Sequence, residues 1–307
     1  MVSINRGINY LMHNRAQFCD SIVKNFFSFL PDKLYLSLRY RCIMGHWIDW
    51  RNPKTFTEKI QWLKVYNRKP EYTIMVDKYA AKEYVAERIG EEYIIPTLNV
   101  WDRPEDIDWN ILPDQFVLKT THGGGGCGVV ICKDKNKFDR QMAISKLRSS
   151  FNSDIYPILR EWPYKNVPKR IIAEKFIAPE ENPLSSELQD YKFFCFNGNV
   201  KFFKVDFGRF VEHHANYYSL TGELLEFGES CFEPNPNYPI KLPHNLNKMV
   251  ELAETLSAKI PFLRVDFYNV NGKIYFGELT FFPSSGMTPW TPISADYEIG
   301  KLLDLNK

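Results

Sequence analysis

Lys119 is followed, after a short spacer, by Gly123, Gly124, Gly125, Gly126 and Gly128, a grouping that can hold a phosphate. Lysine supplies a point charge. Glycine brings backbone N–H groups close to an anion and adopts positive φ without a Cβ clash. Strand formers flank the group, Phe116–Leu118 before it and Val129–Ile131 after it. The stretch reads as strand, phosphate-covering flap, strand; the competing reading is a flexible polyglycine hairpin with no ligand. A second grouping is Arg264, Asp266, Glu278 and Thr280, on two apolar runs joined through Asn271-Gly272. Two carboxylates on neighbouring strands suit Mg²⁺, which takes few protein oxygens and completes its shell with phosphates. If Val270-Asn271-Gly272 is a three-residue loop, Asn269 pairs with Lys273 and Arg264 lies opposite Glu278. Asp266 is then diagonally adjacent on the same face. A two-residue Asn271-Gly272 turn would put the two acids on opposite faces. A surface ion pair is the plainer alternative, against which stand the neighbours Val265, Phe267, Gly277 and Leu279.

Other glycine motifs fit less well. A P-loop needs Gly-Lys-Ser/Thr and then a helix, and no lysine directly follows these glycines. Gly123, Gly125 and Gly128 match a dinucleotide fingerprint, but that motif opens a helix and here a β-branched run follows. The same glycines with Val130 match a kinase glycine loop, and Asp206-Phe207-Gly208 supplies a DFG. The catalytic-loop and A-P-E segments are missing, so the DFG is a chance string.

The elements that must position these groups can be read in outline. Residues 8–42 look helical, broken at Pro31-Asp32. Asn52-Pro53 starts a helix with Phe56, Ile60, Trp62 and Leu63 as apolar residues. Asp77 can cap a helix running to Gly90, with Lys78 in its first turn and Lys82 on the same face. Ile94–Val100 and Phe116–Thr121 read as strands around an acidic loop, Lys137–Ser150 as a helix and Ile171–Ile177 as a strand containing Glu174 and Lys175. Pro179–Gln189 is a polar linker. Asn197-Gly198, Thr221-Gly222 and Asn271-Gly272 are hairpin signals in a C-terminal region of mostly antiparallel sheet, with a helix at His244–Lys259. The fold class is α+β.

At 307 residues, with 44% hydrophobic and 25% charged residues, the chain can bury a sizeable core. Residues 1–70 carry twelve Lys or Arg against four Asp or Glu, whereas the remainder is net acidic. The basic N-terminal region either faces an anionic partner (phospholipid, nucleotide or acidic polysaccharide) or is a solvated helical surface. Six cysteines without C-x-x-C spacing read as reduced thiols of a cytosolic protein. No signal peptide or membrane-length apolar run is evident.

Val76-Asp77-Lys78, Phe116–Gly128, Ala173–Ile177 and Arg264–Gly286, in that order, resemble the ATP-grasp superfamily. The last stretch is similar to the R-x-D…E-x-N…P-G pattern of D-alanine–D-alanine ligases. Residues 52–82 resemble more narrowly the TupA-like branch, named for teichuronopeptide biosynthesis; the likeness runs from about residue 35 onward. The resemblance implies an ATP-grasp fold of two α+β subdomains clasping ATP: a lid at 76–178 and a sheet core at 179–307, after a helical region at 1–75. It implies Lys78 and Lys119 on the ATP phosphates and Gly123–Gly126 with Gly128 closing over them. Glu174 and Ile177 would meet the adenine and Lys175 the ribose, and Lys192 completes the nucleotide set. Asp266, Glu278 and Thr280 would hold Mg²⁺, and Arg264 would stabilise the acyl-phosphate and tetrahedral intermediate. Thr280 departs from the usual Asn, and the helical N-terminus from the common nucleotide-fold-like domain.

The implied activity is an ATP- and Mg²⁺-dependent carboxylate–amine ligase of cell-surface polysaccharide biosynthesis, cytoplasmic, with no nucleic-acid partner and a peripheral contact with membrane-linked glycan. Arg209, His213, His214 and Asn216 are candidate substrate contacts. One rival is a nucleotide-sugar glycosyltransferase, for which the D-x-D of the sequence, Asp106-Ile107-Asp108, sits in an acidic loop. The other is a non-catalytic polysaccharide- or membrane-binding protein, against which Lys119, Asp266 and Glu278 speak.

Overall fold

The computed structural model describes residues 15–178, 188–208, 212–238, 240 and 242–306. The first described helix, α1, covers residues 15–26, and α2 covers Asp32–Met44 after Pro31. The break expected at Pro31-Asp32 is therefore present. The two helices are joined by a buried ion pair: Arg39 donates to both carboxylate oxygens of Asp20, at 2.6 and 3.1 Å. Helix α3 (Phe56–Tyr66) starts later than Asn52-Pro53, because Thr55 and Glu58 form a reciprocal capping box that fixes its first turn. Helix α4 is Glu71–Val76 and α5 is Ala80–Ile89. Asp77 accepts the N–H groups of Tyr79 and Ala80 at the mouth of α5. Lys78 thus sits in the turn before α5 rather than in its first helical turn, and Gly90 closes the helix as expected.

Two antiparallel sheets follow. The first has order β1-β4-β2-β3, from β1 (Thr97–Trp101), β2 (Phe116–Thr120), β3 (Val129–Cys132) and β4 (Ile171–Lys175). The glycine loop is the tip of the β2–β3 hairpin. One face of this sheet buries Phe116, Leu118, Ile171 and Ala173 against Ala143 and Leu147 of α6 (Arg140–Phe151). The other face carries Val117, Lys119, Ile172 and Glu174, as the period-2 alternation of strands requires. Helix α7 (Ile155–Leu159) and an irregular stretch return the chain to β4.

The second sheet has order β10-β9-β5-β6-β7. Its strands are β5 (Asp190–Phe196), β6 (Asn199–Phe207), β7 (His214–Tyr218), β9 (Phe262–Val270) and β10 (Lys273–Thr280). A small ladder joins β8 (Gly228–Glu229) to β11 (Trp290–Thr291). Helix α8 (Leu246–Ser257) covers one face, where Met249, Leu252, Ala253 and Leu256 join a core with Phe193, Val265 and Phe267. On the opposite face the packing is graded. At one end Phe56 of α3 meets Phe196, Phe262 and Trp290, with ring centroids 5.0–6.1 Å apart. At the other end the same face turns ionic. Helix α9 (Ile293–Leu302) ties back to α3 through Asp296, which accepts both the N–H and the hydroxyl of Thr57.

The hairpin that carries the candidate metal ligands corrects the three-residue-loop expectation. Val270 pairs with Lys273, so Asn271-Gly272 is a two-residue turn, both residues at positive φ. Continued regularly, that register would turn Glu278 away from Asp266. A bulge between Phe276 and Glu278 adds one residue to β10 and shifts the pairing, so that Glu278 faces Asp266 and Thr280 faces Arg264. Gly277 occupies the bulge; a Cβ there would stand 3.0 Å from the Asp266 carbonyl oxygen. Asn197-Gly198 forms a second two-residue hairpin turn. Thr221-Gly222 turns the chain but leads only to a single bridge, Tyr218 to Leu224. The six cysteines are unpaired, and among the described residues no helix is long and apolar enough to cross a membrane.

Asp20→Ala should lower the unfolding free energy by about 3–5 kcal/mol, since it strands a buried guanidinium; urea denaturation measures this. Burial works to raise the Asp20 carboxyl, but Arg39 and Lys24 outweigh it and hold it below the ordinary value. The stabilisation is therefore present above the ordinary aspartate pKa and lost as pH falls through the lowered one. The difference between wild type and variant should shrink in acid.

Candidate functional site

The site is built where the ionic face of the second sheet meets the Lys119 face of the first. A row of side chains crosses the five strands: Tyr217 on β7, Lys204 on β6, Lys192 on β5, Asp266 on β9 and Glu278 on β10 are successive cross-strand partners. Arg264 lies two residues from Asp266 on the same face and grips it with two bonds, of 2.7 and 2.6 Å. It also donates to Glu278 at 2.9 Å and to Thr280 Oγ1 at 3.1 Å. Lys192 pairs with Asp190 and lies 3.3 Å from Asp266 and 3.5 Å from Asp206. Lys204 bridges Asp206, at 3.4 Å, and Glu229, at 2.7 Å.

Two lysines stand beside two carboxylates in this row, and Asp190, Asp206, Glu229 and Arg264 complete the pairing, because a buried charge persists only when paired. Burial pushes the Asp266 carboxyl up, against the pull of Arg264 and Lys192. Burial acts the same way on Glu278, yet Arg264, Lys78 and Lys192 hold its carboxyl down to about 2. The Glu278 side chain is 44% exposed and so presents its carboxylate to the open side. Asp206 is held well below the ordinary range, burial notwithstanding, by Lys204, His213 and Lys192.

The first sheet contributes a lysine cluster. Lys119 and Lys82 flank Glu174, each 2.5 Å from one of its oxygens. Lys78 donates to the carbonyl of Gly123, tying α5's approach to the glycine loop. Burial works against the charge of Lys119, but Glu174 more than offsets it and its ammonium is held above the ordinary value. Lys78 is shifted the other way, by burial first, although Glu278 and Glu174 attract it. The charge of Glu278 thus acts on lysines of the first sheet's side as well as on Arg264. Between Lys119 and β3 the loop tip, residues 125–127, is exposed. Gly125 and Gly126 have φ of +62° and +75°, with open space where a Cβ would sit. Gly128 is instead pressed against Thr120 Oγ1 and Ser150 Oγ, leaving no room for a side chain.

The structure gathers Lys78, Lys119, Glu174 and the loop into one group, and Lys192, Arg264, Asp266, Glu278 and Thr280 into another, with Glu278 between them. Lys175 is exposed, and Ile177 lies half-buried just beyond β4. Among the candidate substrate contacts, His213 donates to Asp206, 2.9 Å away, with its ring against Phe232. His214 stacks on Phe207 and reaches the Glu233 carbonyl. Asn216 is buried and spends its amide on Asn235 and the Tyr218 hydroxyl, so it braces a loop instead of facing open space. Arg209 lies outside the described residues.

The sequence reading missed Asp190, Lys204, Asp206 and Glu229. Their signal was present: charges at period 2 within otherwise apolar strands, Asp190-x-Lys192 and Lys204-x-Asp206. It also missed the brace beneath the loop after β10. Ser284 and Ser285 take left-handed backbone conformations, φ 48° and 55°. Gln61 and the buried Lys64 of α3 donate to the carbonyl of Ser285, and Ser284 donates to Glu229. Burial, opposed by the nearby Glu161, lowers Lys64 to about 7.

The donor set fits a single Mg²⁺ of the kind that leans on phosphates. Asp266, Glu278 and Thr280 offer oxygens on adjacent strands, while among the described residues no three His, Cys, Asp or Glu side chains converge into a cage. No curated protein matches the chain. Solved structures similar to it include D-alanine–D-alanine ligase from Bacillus anthracis in complex with ATP (17% identity, 68% of this chain and 54% of that one, TM-score 0.39). N5-carboxyaminoimidazole ribonucleotide synthetase as an ADP complex has 14% identity over 78% of this chain and 50% of that one, TM-score 0.44. L-amino acid ligase from Bacillus licheniformis has 15% identity over 75% of this chain and 49% of that one, TM-score 0.43. The chain spans about half the length of these proteins. The sequence model of the TupA-like ATPgrasp family matches residues 58–304, most of the chain and all of the site, and the chain belongs to that family.

Proposed function

We propose that the protein joins a carboxylate to an amine at the expense of ATP, through an acyl-phosphate. The observation that carries this reading is the meeting of two charge sets of opposite purpose. A lysine pair beneath a glycine loop faces strands bearing an arginine and two carboxylates. Phosphoryl transfer asks of a protein chiefly positioning and charge stabilisation, which such a set supplies. Lys78 and Lys119 hold the phosphates, and the loop from Gly123 to Gly128 folds over them. Glu174, now shared by Lys82 and Lys119, keeps both ammonium groups in place at the nucleotide; Lys175 and Ile177 border the ribose and adenine. Asp266, Glu278 and Thr280 hold Mg²⁺, which when bound screens the phosphate charge. Lys192, with Arg264, opposes the upward push of burial on Asp266 at the phosphates. The γ-phosphoryl passes to the substrate carboxylate, releasing ADP. The amine then attacks the acyl carbon, phosphate leaves, and the amine's proton passes to solvent. Arg264 faces the charge that builds on the acyl oxygen. Residues 76–178 act as the lid and 179–307 as the core, after the N-terminal region 1–75. The family resemblance supports a uronic acid or other carboxylate of a cell-surface polysaccharide as acceptor, in the cytoplasm.

Titration calorimetry with ATP and Mg²⁺ should show one site, weakened at least about tenfold by Lys119→Ala, the scale of a lost charge-assisted bond. Binding of a nucleotide-sugar in place of ATP would assign the protein to glycosyl transfer instead. Glu278→Gln should lower ADP release by about 10²–10³-fold, as for loss of one preorganised charge contact. Its unfolding midpoint should hardly move, because the side chain is partly exposed. Wild-type turnover by this variant would remove Glu278 from the mechanism. Amide exchange over residues 121–128 should slow when ATP is added, since an exposed loop tip has few contacts to protect it beforehand. Equal exchange in both states would end the lid role.

A further inference from the structure

Helix α1 buries few of its residues. Asp20 and Val23 are buried, at 5% and 6% exposure, and Asp20 is locked to Arg39 and Lys24. The opposite face carries Phe18, Ile22 and Phe26, spaced by four residues and so aligned in one stripe. Phe18 is 67% exposed and Phe26 70%. Phe29, in the turn that follows, is 78% exposed, and its ring stacks on Phe27 at 6.4 Å. That turn is held from below: Arg160 donates to the carbonyls of Ser28 and Leu30, on either side of Phe29. The phenylalanines are therefore presented on a fixed support, and an aligned apolar stripe of this kind marks a contact surface, unlike scattered single residues.

Charge indicates what the stripe meets. Residues 15–54 contain seven Lys or Arg and three Asp. All three aspartates are engaged. Asp20 is paired as described, Asp32 pairs with Arg68 and Arg160, and Asp49 accepts the N–H groups of Arg51 and Asn52. Arg15, on the stripe's own face, is exposed, and Arg41 and Arg51 are exposed elsewhere in the same N-terminal region. The N-terminal region that carries the stripe is thus net positive. A second copy of the chain would bring the same positive charge against it and be repelled, whereas an anionic bilayer offers both an apolar boundary for the rings and phosphates for the cations.

We infer that the Phe18–Phe26–Phe29 face docks the protein on the surface of an anionic lipid bilayer, rings in the acyl boundary and arginines among the headgroups. This rests on no part of the catalytic reading.

Flotation of the full chain with vesicles tests it. Vesicles of phosphatidylcholine and phosphatidylglycerol in equal parts should carry the protein, and phosphatidylcholine alone should carry at least about tenfold less. The triple variant Phe18→Ser, Phe26→Ser, Phe29→Ser should lose about tenfold or more of its partition to the anionic vesicles while keeping the wild-type unfolding midpoint. Ile293→Ser, which removes an equally exposed residue (77%) on α9, should partition as wild type. Equal partition of the triple variant and the wild type would overturn the inference. So would an absence of vesicle binding together with a dimer, seen by sedimentation, that the triple substitution dissolves; that result would give the face to a second copy.

Discussion

The structure depends on pairing buried charge across the five-stranded sheet. Arg264 neutralises Asp266 and reaches Glu278, Lys192 sits among Asp190, Asp206 and Asp266, and Lys204 closes on Glu229. Removing a buried partner such as Asp266 or Glu229 leaves a charge in a region where water cannot replace it, and the penalty is steep. The neighbouring elements are arranged so that this does not occur. The bulge at Gly277 brings Glu278 within reach of Arg264. The hydroxyls of Tyr217 and Ser284 both donate to Glu229. The apolar end of the same face, with Phe56, Phe196 and Phe262, supplies the burial that makes the ionic end stable enough to keep its charges.

The two sheets are coupled by the same means. Lys119 and Lys82 converge on Glu174, and Glu278 attracts Lys78 from the other sheet. A polyanion with its cation entering here would meet positive groups on one side and carboxylates on the other. It would displace internal pairs instead of water-exposed ones, in a setting of low dielectric where each contact counts for more than in water. The left-handed pair Ser284-Ser285, braced by Gln61 and Lys64, adds a rigid rim at the end of β10. The N-terminal helices answer to a different constraint. Helix α1 turns the paired Asp20 inward and leaves Phe18 and Phe26 exposed, whereas α2 buries Tyr35 and Tyr40.

Much of this was legible in the sequence, and the reasons are local. Four consecutive glycines between two β-branched runs specify a hairpin tip whatever surrounds them, because only glycine takes φ near +62° and +75° at no cost. Pro31 and Gly90 punctuate helices through their own backbone limits. Lys119 before the glycine loop, and Arg264, Asp266 and Glu278 on one hairpin, were legible from their types and positions; their joining into one site came with the family resemblance. The α+β class followed from the alternation of helical and period-2 patterns.

Other features were settled only by tertiary structure. The turn at Asn271-Gly272 spans two residues, which by itself parts Asp266 from Glu278; the bulge that reunites them depends on Gly277 approaching the Asp266 backbone, a contact no spacing rule supplies. Which charges are buried together is likewise a matter of strand order. Lys192 meets Asp266 because β5 lies beside β9, 74 residues later in the chain, and Lys204 meets Glu229 because a separate ladder brings β8 across. Asn216 reads from the sequence as a ligand contact, but its amide is bonded to Asn235. Sequence determines which groups are present and the local backbone they permit. The partner that makes a buried charge affordable is a long-range neighbour, and only the assembled sheets fix it.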